Sequence, residues 1–315
     1  IELNHVFKDK NEIHGEDDLT SLIMNELISN LEPIRFCIST DFPQNQLIGL
    51  ATFDWRLIFG HSNGLLRTQI DLKGVCNDVV GSLQIALLLE GFDIDLEQFH
   101  EPFKLQTRQE KLDCIEVERE FAFSLKTWWL DLIRVVDKRD IEITSAEIGS
   151  GPNILFNQII PFSIRGLDTP GMCLRYCHLL TDLIAPPSFS FIPIWATIAS
   201  RSGHHREKLN VLVSLLRGLG LNAYVVMAKP RPIAICIYKD QKNDNNQVIY
   251  LDVVTGKFGF EMPKILNKIT YIYNDKIMLA NLHPASLTVD WDIKSPLKWK
   301  ALLPPKWEYS IHLMP

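Results

Sequence analysis

The stretch LNVLVSLLRGLGLNAYVV, Leu209 to Val226, decides the fold. Leu209, Leu212, Val213 and Leu216 recur three and four residues apart, the spacing of one helix face. The helix spans about Arg206 to Arg217, and Gly218 and Gly220 stop it. The apolar run AYVVM (223–227) follows, and IAICIY (233–238) is its hairpin partner across the turn Lys229-Pro230-Arg231-Pro232. VIYLDVV (248–254) makes a third strand, ended by Thr255-Gly256, after a polar loop KDQKNDNNQ (239–247). Period switches from 3.6 to 2 within forty residues, which is the mark of an α+β domain.

Upstream, Asp168-Thr169-Pro170 places a cap donor ahead of proline at a helix start, and Met172, Tyr176, Leu180 and Leu183 continue that helix. A longer helix is expected from Ile115 to Val136. Its stripe is Val117, Phe121, Leu125, Trp128, Trp129, Leu132 and Val136. The adjacent tryptophans are read as packing anchors. Residues 92–112 are polar, contain Pro102 and read as a linker. Before them lie four apolar runs, 31–39, 46–53, 65–72 and 79–89, with turn residues between and no helical period. That pattern predicts a β-sandwich.

The chain has 315 residues, enough for two domains with unstapled cores. A net charge of -6 argues against a phosphate-backbone binder, and the basic residues are interspersed with acids. Six scattered cysteines without a CxxC pair fit reduced thiols better than a disulfide scaffold. No apolar run reaches membrane-span length. The first residue is Ile1, so the chain is expected to be part of a longer protein. No Walker loop, GxGxxG or HExxH is present.

Several stretches together resemble the centrosomal protein of 76 kDa family, which joins a C2-like domain to a transglutaminase-like domain. They are FDWRLIFGHSNG (53–64), EREFAFSLKTWW (118–129), RGLDTP (165–170), LNVLVSLLRGLGLNAYVV (209–226), LDVVTG (251–256), KIMLANLHPAS (276–286) and WKALLPP (299–305), in that order. The resemblance implies an α+β protein of three parts. A C2-like β-sandwich would cover 15–95, a linker with the Trp-bearing helix 96–140, and a degenerate transglutaminase-like, papain-like domain 141–315.

In active members of that fold a Cys at a helix N-terminus is the nucleophile, a strand His is the base and an Asp orients the imidazole. Carried over residue by residue, the nucleophile position is Ala196, after Trp195, the base is Ile233 and the third member is Asp252. A methyl group cannot attack and an isoleucine cannot move a proton. The family's Gly-Asp-x-x-Asp-His run reads here Gly203-His204-His205-Arg206-Glu207-Lys208. Register slips do not restore the site: Pro232, Ala234 and Ile235 are equally inert, and Cys236 falls on the opposite strand face. Asp252 also reads as an acceptor for turn hydrogen bonds beside Thr255-Gly256.

Other groupings have plain structural readings. Cys173 and Cys177 share a helix face and could bind zinc with His178 or His205, but a buried apolar stripe accounts for them. Asp41, Asp54 and Asp71 are isolated and only Asp93 and Asp95 are close, too few for a calcium-binding C2 domain. No cofactor and no metal is expected. The resemblance implies a non-catalytic scaffold of centriole, basal body or axoneme within a large complex, binding protein partners such as tubulin, with no nucleic acid and no membrane. Two alternatives stay open: a C2-type membrane-recruiting module, and a thiol hydrolase using Cys173 or Cys177.

Overall fold

The computed structural model describes residues 33–41, 45–61, 64–88, 97–134, 144–148, 151–154, 158–183, 190–239, 246–264, 266, 268–283 and 289–304. The opening segment 1–32, Asp93, Asp95 and the polar loop 240–245 lie outside them. The chain is an α+β protein. Its N-terminal strands β1 (Ile34–Ser39), β2 (Leu47–Phe53), β3 (Leu65–Lys73) and β4 (Val79–Leu88) form one sheet in sequential order. Helix α1 (Glu97–Leu132) follows.

Helix α1 starts well before the expected Ile115, so residues 97–112 are helical rather than irregular. It has 36 residues and begins at Glu97, with Pro102 inside it. Proline removes one helical hydrogen bond. Burial offsets that cost: Phe99 and Phe103 flank Pro102, and their rings meet Phe59 at 5.6 and 6.2 Å. Polarity hid this face, because only two aromatics mark it among charged neighbours.

Two compact units divide the chain. The first comprises Ile1–Ile34, Phe53–Gln69 and Gln84–Ile115, and the second Arg35–Thr52, Ile70–Leu83 and Glu116–Pro315. In the first, Arg56 is fully buried on a 3-10 turn (Trp55–Gly60). It donates to Asp54 Oδ2 at 2.8 Å and to Glu110 at 2.9 and 3.1 Å. Burial works against its charge, but the two carboxylates outweigh that and raise its pKa further.

The second unit adds β5 (Thr144–Glu147), β6 (Gly151–Ile154), α2 (Pro170–Leu179), β7 (Thr181–Asp182), β8 (Ser190–Phe191), α3 (Ile194–Ser200), β9 (Ser202–Gly203) and α4 (His205–Gly218). Its main sheet uses β10 (Ala223–Lys229), β11 (Ile233–Lys239), β12 (Asn246–Asp252), β13 (Lys257–Gly259), β14 (Lys268–Tyr273), β15 (Met278–Asn281) and β16 (Trp299–Leu302). The order is β13-β12-β11-β10-β14-β15-β16, all antiparallel. The predicted hairpin and third strand are β10, β11 and β12.

Alternation along these strands makes two cores. Ala223, Val225, Ala234, Cys236 and Leu251 face α4 and join Leu209, Leu212 and Leu216. Tyr224, Val226, Ile233, Ile235 and Tyr250 face the other way, against Trp291 and Trp299. Thr169 caps α2, its hydroxyl accepting from Met172 N at 3.3 Å, as the Asp-Thr-Pro reading predicts.

Helix α4 ends in a Schellman motif. Leu221 N donates to Leu216 O at 3.0 Å and Gly220 N to Arg217 O at 2.9 Å, with Gly220 at φ +78°. Gly218 is constrained differently: a Cβ there would sit 1.9 Å from Phe162 O. In an ordinary helix Gly→Ala gains about 1 kcal/mol. Here Gly218→Ala is expected to lose about 2–3 kcal/mol, the usual cost of overpacking, measured by urea denaturation.

Candidate functional site

The site is built around the N-termini of α3 and α4. Helix α3 starts after Pro193 with no side-chain cap. It is short and stabilised locally: Thr197 Oγ1 donates to Pro193 O at 3.2 Å and Ser200 Oγ to Ala196 O at 2.8 Å. Arg201 ends it in the left-handed region at φ 53°.

Ala196 is 0% exposed. It lies among Leu47, Leu50, Ile148 and Ile192, with Cys37, Val75 and Trp195 packed beside them. The Cys37 thiol points at Ala196 O, 3.9 Å away, and the Arg35 guanidinium stands 6.0 Å from the Trp195 ring centroid. A nucleophile needs solvent or substrate access, and this position has neither.

Ile233 is 2% exposed and begins β11. It belongs to the core on the sheet face away from α4, whereas Ala196 belongs to a separate cluster. The two positions share no apolar cluster. Cys236 lies on the α4 side, the strand face opposite Ile233.

Asp252 closes β12 and is engaged locally. It accepts from Arg231 Nη2 at 2.5 Å, Thr255 Oγ1 at 2.9 Å and Val254 N at 3.0 Å. These bonds fix the turn before Gly256, which has φ +66°. The His178 ring faces the same turn, its Nδ1 2.9 Å from Val253 O.

The His204–Lys208 segment is where sequence reasoning saw only a departure from the family pattern. His204 is the N-cap of α4 without a side-chain cap bond. Glu207, three residues on, is 1% exposed. It occupies the position from which a capping box reaches back to the N-cap amide. Backbone amides of Ile192, His204 and Glu207 itself hydrogen-bond its carboxylate. Burial dominates nonetheless and pushes its pKa up to about 7, and Oε2 has no partner. The x-x-Glu half of a capping box was the available signal. Lys208 is buried and donates to Leu180 O at 2.6 Å and to Asp182 Oδ1 at 2.5 Å. It joins the start of α4 to the end of α2.

The His204 and His205 rings meet at a tilt of 55°, with centroids 3.7 Å apart. Burial, then His204 and the neighbouring Arg231 and Arg206, lowers the His205 pKa to about 4. Cys173 and Cys177 are completely buried, and burial raises both thiols. Raised thiols are poor nucleophiles. Among the described residues no group of three or more His, Cys, Asp or Glu is placed to hold a metal ion. A concavity of about 560 Å³ lies on the far face of the main sheet, lined by Gln247, Val248, Tyr250, Phe260 and Trp291. No carboxylate, imidazole or thiol lines it.

This geometry is that of an α+β domain whose Ala196 and Ile233 are buried in apolar clusters. Residues 192–302 match the CEP76 peptidase-like domain. The chain is similar to centrosomal protein of 76 kDa from mouse (Mus musculus) and from human (Homo sapiens), 24% identical to each over 327 residues. Those alignments take in 92% of this chain and 49% of each relative. The Xenopus tropicalis protein of the same name is 23% identical over 308 residues, 88% of this chain and 46% of its own length. The chain therefore spans about half the length of the curated relatives it matches. Together the matches support the centrosomal protein of 76 kDa family, the one the sequence motifs resemble.

The two shifted groups give the fold opposite pH responses. Glu207 holds its proton to about pH 7 when folded, against an ordinary 4.5, so stability declines as pH rises between those values. His205 stays neutral down to about pH 4, against 6.5, so stability declines as pH falls between those values. The melting temperature is expected to peak at about pH 5–6. In Glu207→Gln the decline on the alkaline side flattens while the acid side persists, as differential scanning calorimetry across pH would record.

Proposed function

We propose that this chain is a non-catalytic scaffold of the centrosome or centriole, extending to basal body or cilium, that holds protein partners in place. The observation that carries the reading is the burial of Ala196 inside an apolar cluster, at the position that the resemblance assigns to the nucleophile. Around it stand the buried helix α4 and the Asp252 turn. A fold kept without its reactive groups, in relatives named for the centrosome, is explained by binding rather than turnover. The N-terminal sheet fits a protein-binding C2-like module: Asp54 beside it is engaged by Arg56.

The tagged protein is expected to concentrate at centrioles or basal bodies in dividing or ciliated cells. A uniformly diffuse signal under fluorescence microscopy would count against the reading. The chemical half is tested separately. The double variant Ala196→Cys, Ile233→His is expected to gain no fast-labelling thiol toward a thiol-reactive probe at neutral pH, because the two side chains lie in different clusters. Fast labelling of the unmodified chain at Cys173 or Cys177 would instead favour a thiol hydrolase.

A further inference from the structure

Three aromatic rings meet around one hollow on the far face of the main sheet. The concavity of about 560 Å³ is lined by Tyr250, Phe260 and Trp291, with Gln247 and Val248 beside them. All five residues belong to the second compact unit. The rings come from separate places in the chain: Tyr250 from β12, Phe260 from the residue after β13 and Trp291 from the segment between β15 and β16.

Two of the rings are fixed by their neighbours. Trp291 Nε1 donates to Tyr250 Oη at 2.7 Å, and the ring planes stand at 67° with centroids 6.1 Å apart. Trp291 also stacks on Trp299, at 24° and 5.9 Å. Trp299 is buried, and its Nε1 donates to Asp290 O at 3.0 Å. Gly259 pairs with Tyr250 across β12 and β13, so its missing side chain falls on the Tyr250 face. A Cβ there would meet nothing within 4 Å, which keeps the space beside Tyr250 open. Phe260 is 67% exposed and contributes little to the core.

The lining selects an occupant. Faces of aromatic rings carry partial negative charge and attract cations. Two rings set near a right angle form the corner of a box, which suits a rounded cation better than a flat guanidinium. No carboxylate lines the hollow, so a primary ammonium would shed tightly held water without an ionic partner in exchange. A methylated ammonium has fewer N–H groups to desolvate and spreads its charge over its methyls, which rings can cover. Exposed acids follow two of the rings in sequence, Glu261 after Phe260 and Asp292 after Trp291, and favour a cationic ligand. Lys298 is neutralised by Asp290. We infer that this hollow binds a methylated lysine side chain of a protein partner. It shares no residue with the cluster around Ala196, so loss of ligand here and loss of centriolar localisation are separate outcomes.

The probe is a five-residue alanine peptide with a central trimethyllysine, titrated into the full chain while the Trp291 indole resonance is followed by NMR. Its dissociation constant is expected below about 1 mM. The plain-lysine peptide, and the uncharged analogue with carbon in place of the nitrogen, are each expected to bind at least about tenfold more weakly. Phe260→Ala and Gly259→Ile, which removes a wall and fills the open space respectively, are expected to weaken binding about tenfold while the melting temperature holds. A weaker dissociation constant for the trimethyllysine peptide would overturn the inference. So would equal binding of the charged and uncharged peptides, or unchanged binding in both variants. Choline binding as tightly as the peptide would overturn the assignment to a protein side chain.

Discussion

Burial of α4 on every side is the constraint that the larger unit answers to. From Glu207 to Leu216 each residue of this helix is buried, polar ones included. Apolar members need only neighbours, but each polar group needs a partner. Asn210 donates to Gln158 Oε1 at 3.0 Å and accepts from Tyr273 Oη at 2.9 Å. Ser214 Oγ accepts from Ile160 N, and its carbonyl from Phe162 N. Lys208 reaches Leu180 O. These bonds fix the segment before α2, the end of α2 and strand β14 at defined places around one helix. The position of Gly218 under Phe162 belongs to the same arrangement, because the segment held by Ser214 passes too close for any side chain.

The same packing encloses the two positions that the family resemblance would assign to nucleophile and base. A catalytic group must stand at a boundary between protein and solvent. Ala196 and Ile233 instead lie in two interiors, one beneath α3 and one behind the main sheet. Asp252 stays near the surface, and its acceptor capacity is taken up by Arg231, Thr255 and the Val254 amide. Each of the three residues has a packing or turn-closing job that its neighbours account for.

Much of this was legible in the sequence where periodicity was strong. Leu209–Leu216, the Gly218–Gly220 stop and the alternating hairpin gave helix, terminator and strands nearly to the residue, because one physical signal determined each. Strands β14, β15 and β16 were not read as strands. KITYIY and MLAN are almost uniformly buried, and a run without alternation does not distinguish strand from helix. The first half of α1 was lost because Phe99 and Phe103 are isolated among charges and Pro102 argues for a break. Motif order proposes Ala196, Ile233 and Asp252 as corresponding positions, but it does not say which cluster each side chain joins. Strand face and cluster membership depend on pairing register. The role of Glu207 was hidden for a different reason: a buried carboxylate looks in sequence like a surface one.

The cysteines carry a consequence of their own. Cys173, Cys177 and Cys236 are closed inside the core beneath α4, while Cys76 stands in the open. Cys37 and Cys114 are half-buried, so oxidants and alkylating agents meet a graded set of sulfurs with Cys76 and the inner three at its extremes. The outer one registers the medium. The inner three become reachable only when the core opens, so their modification records the chain's unfolding history rather than its surroundings.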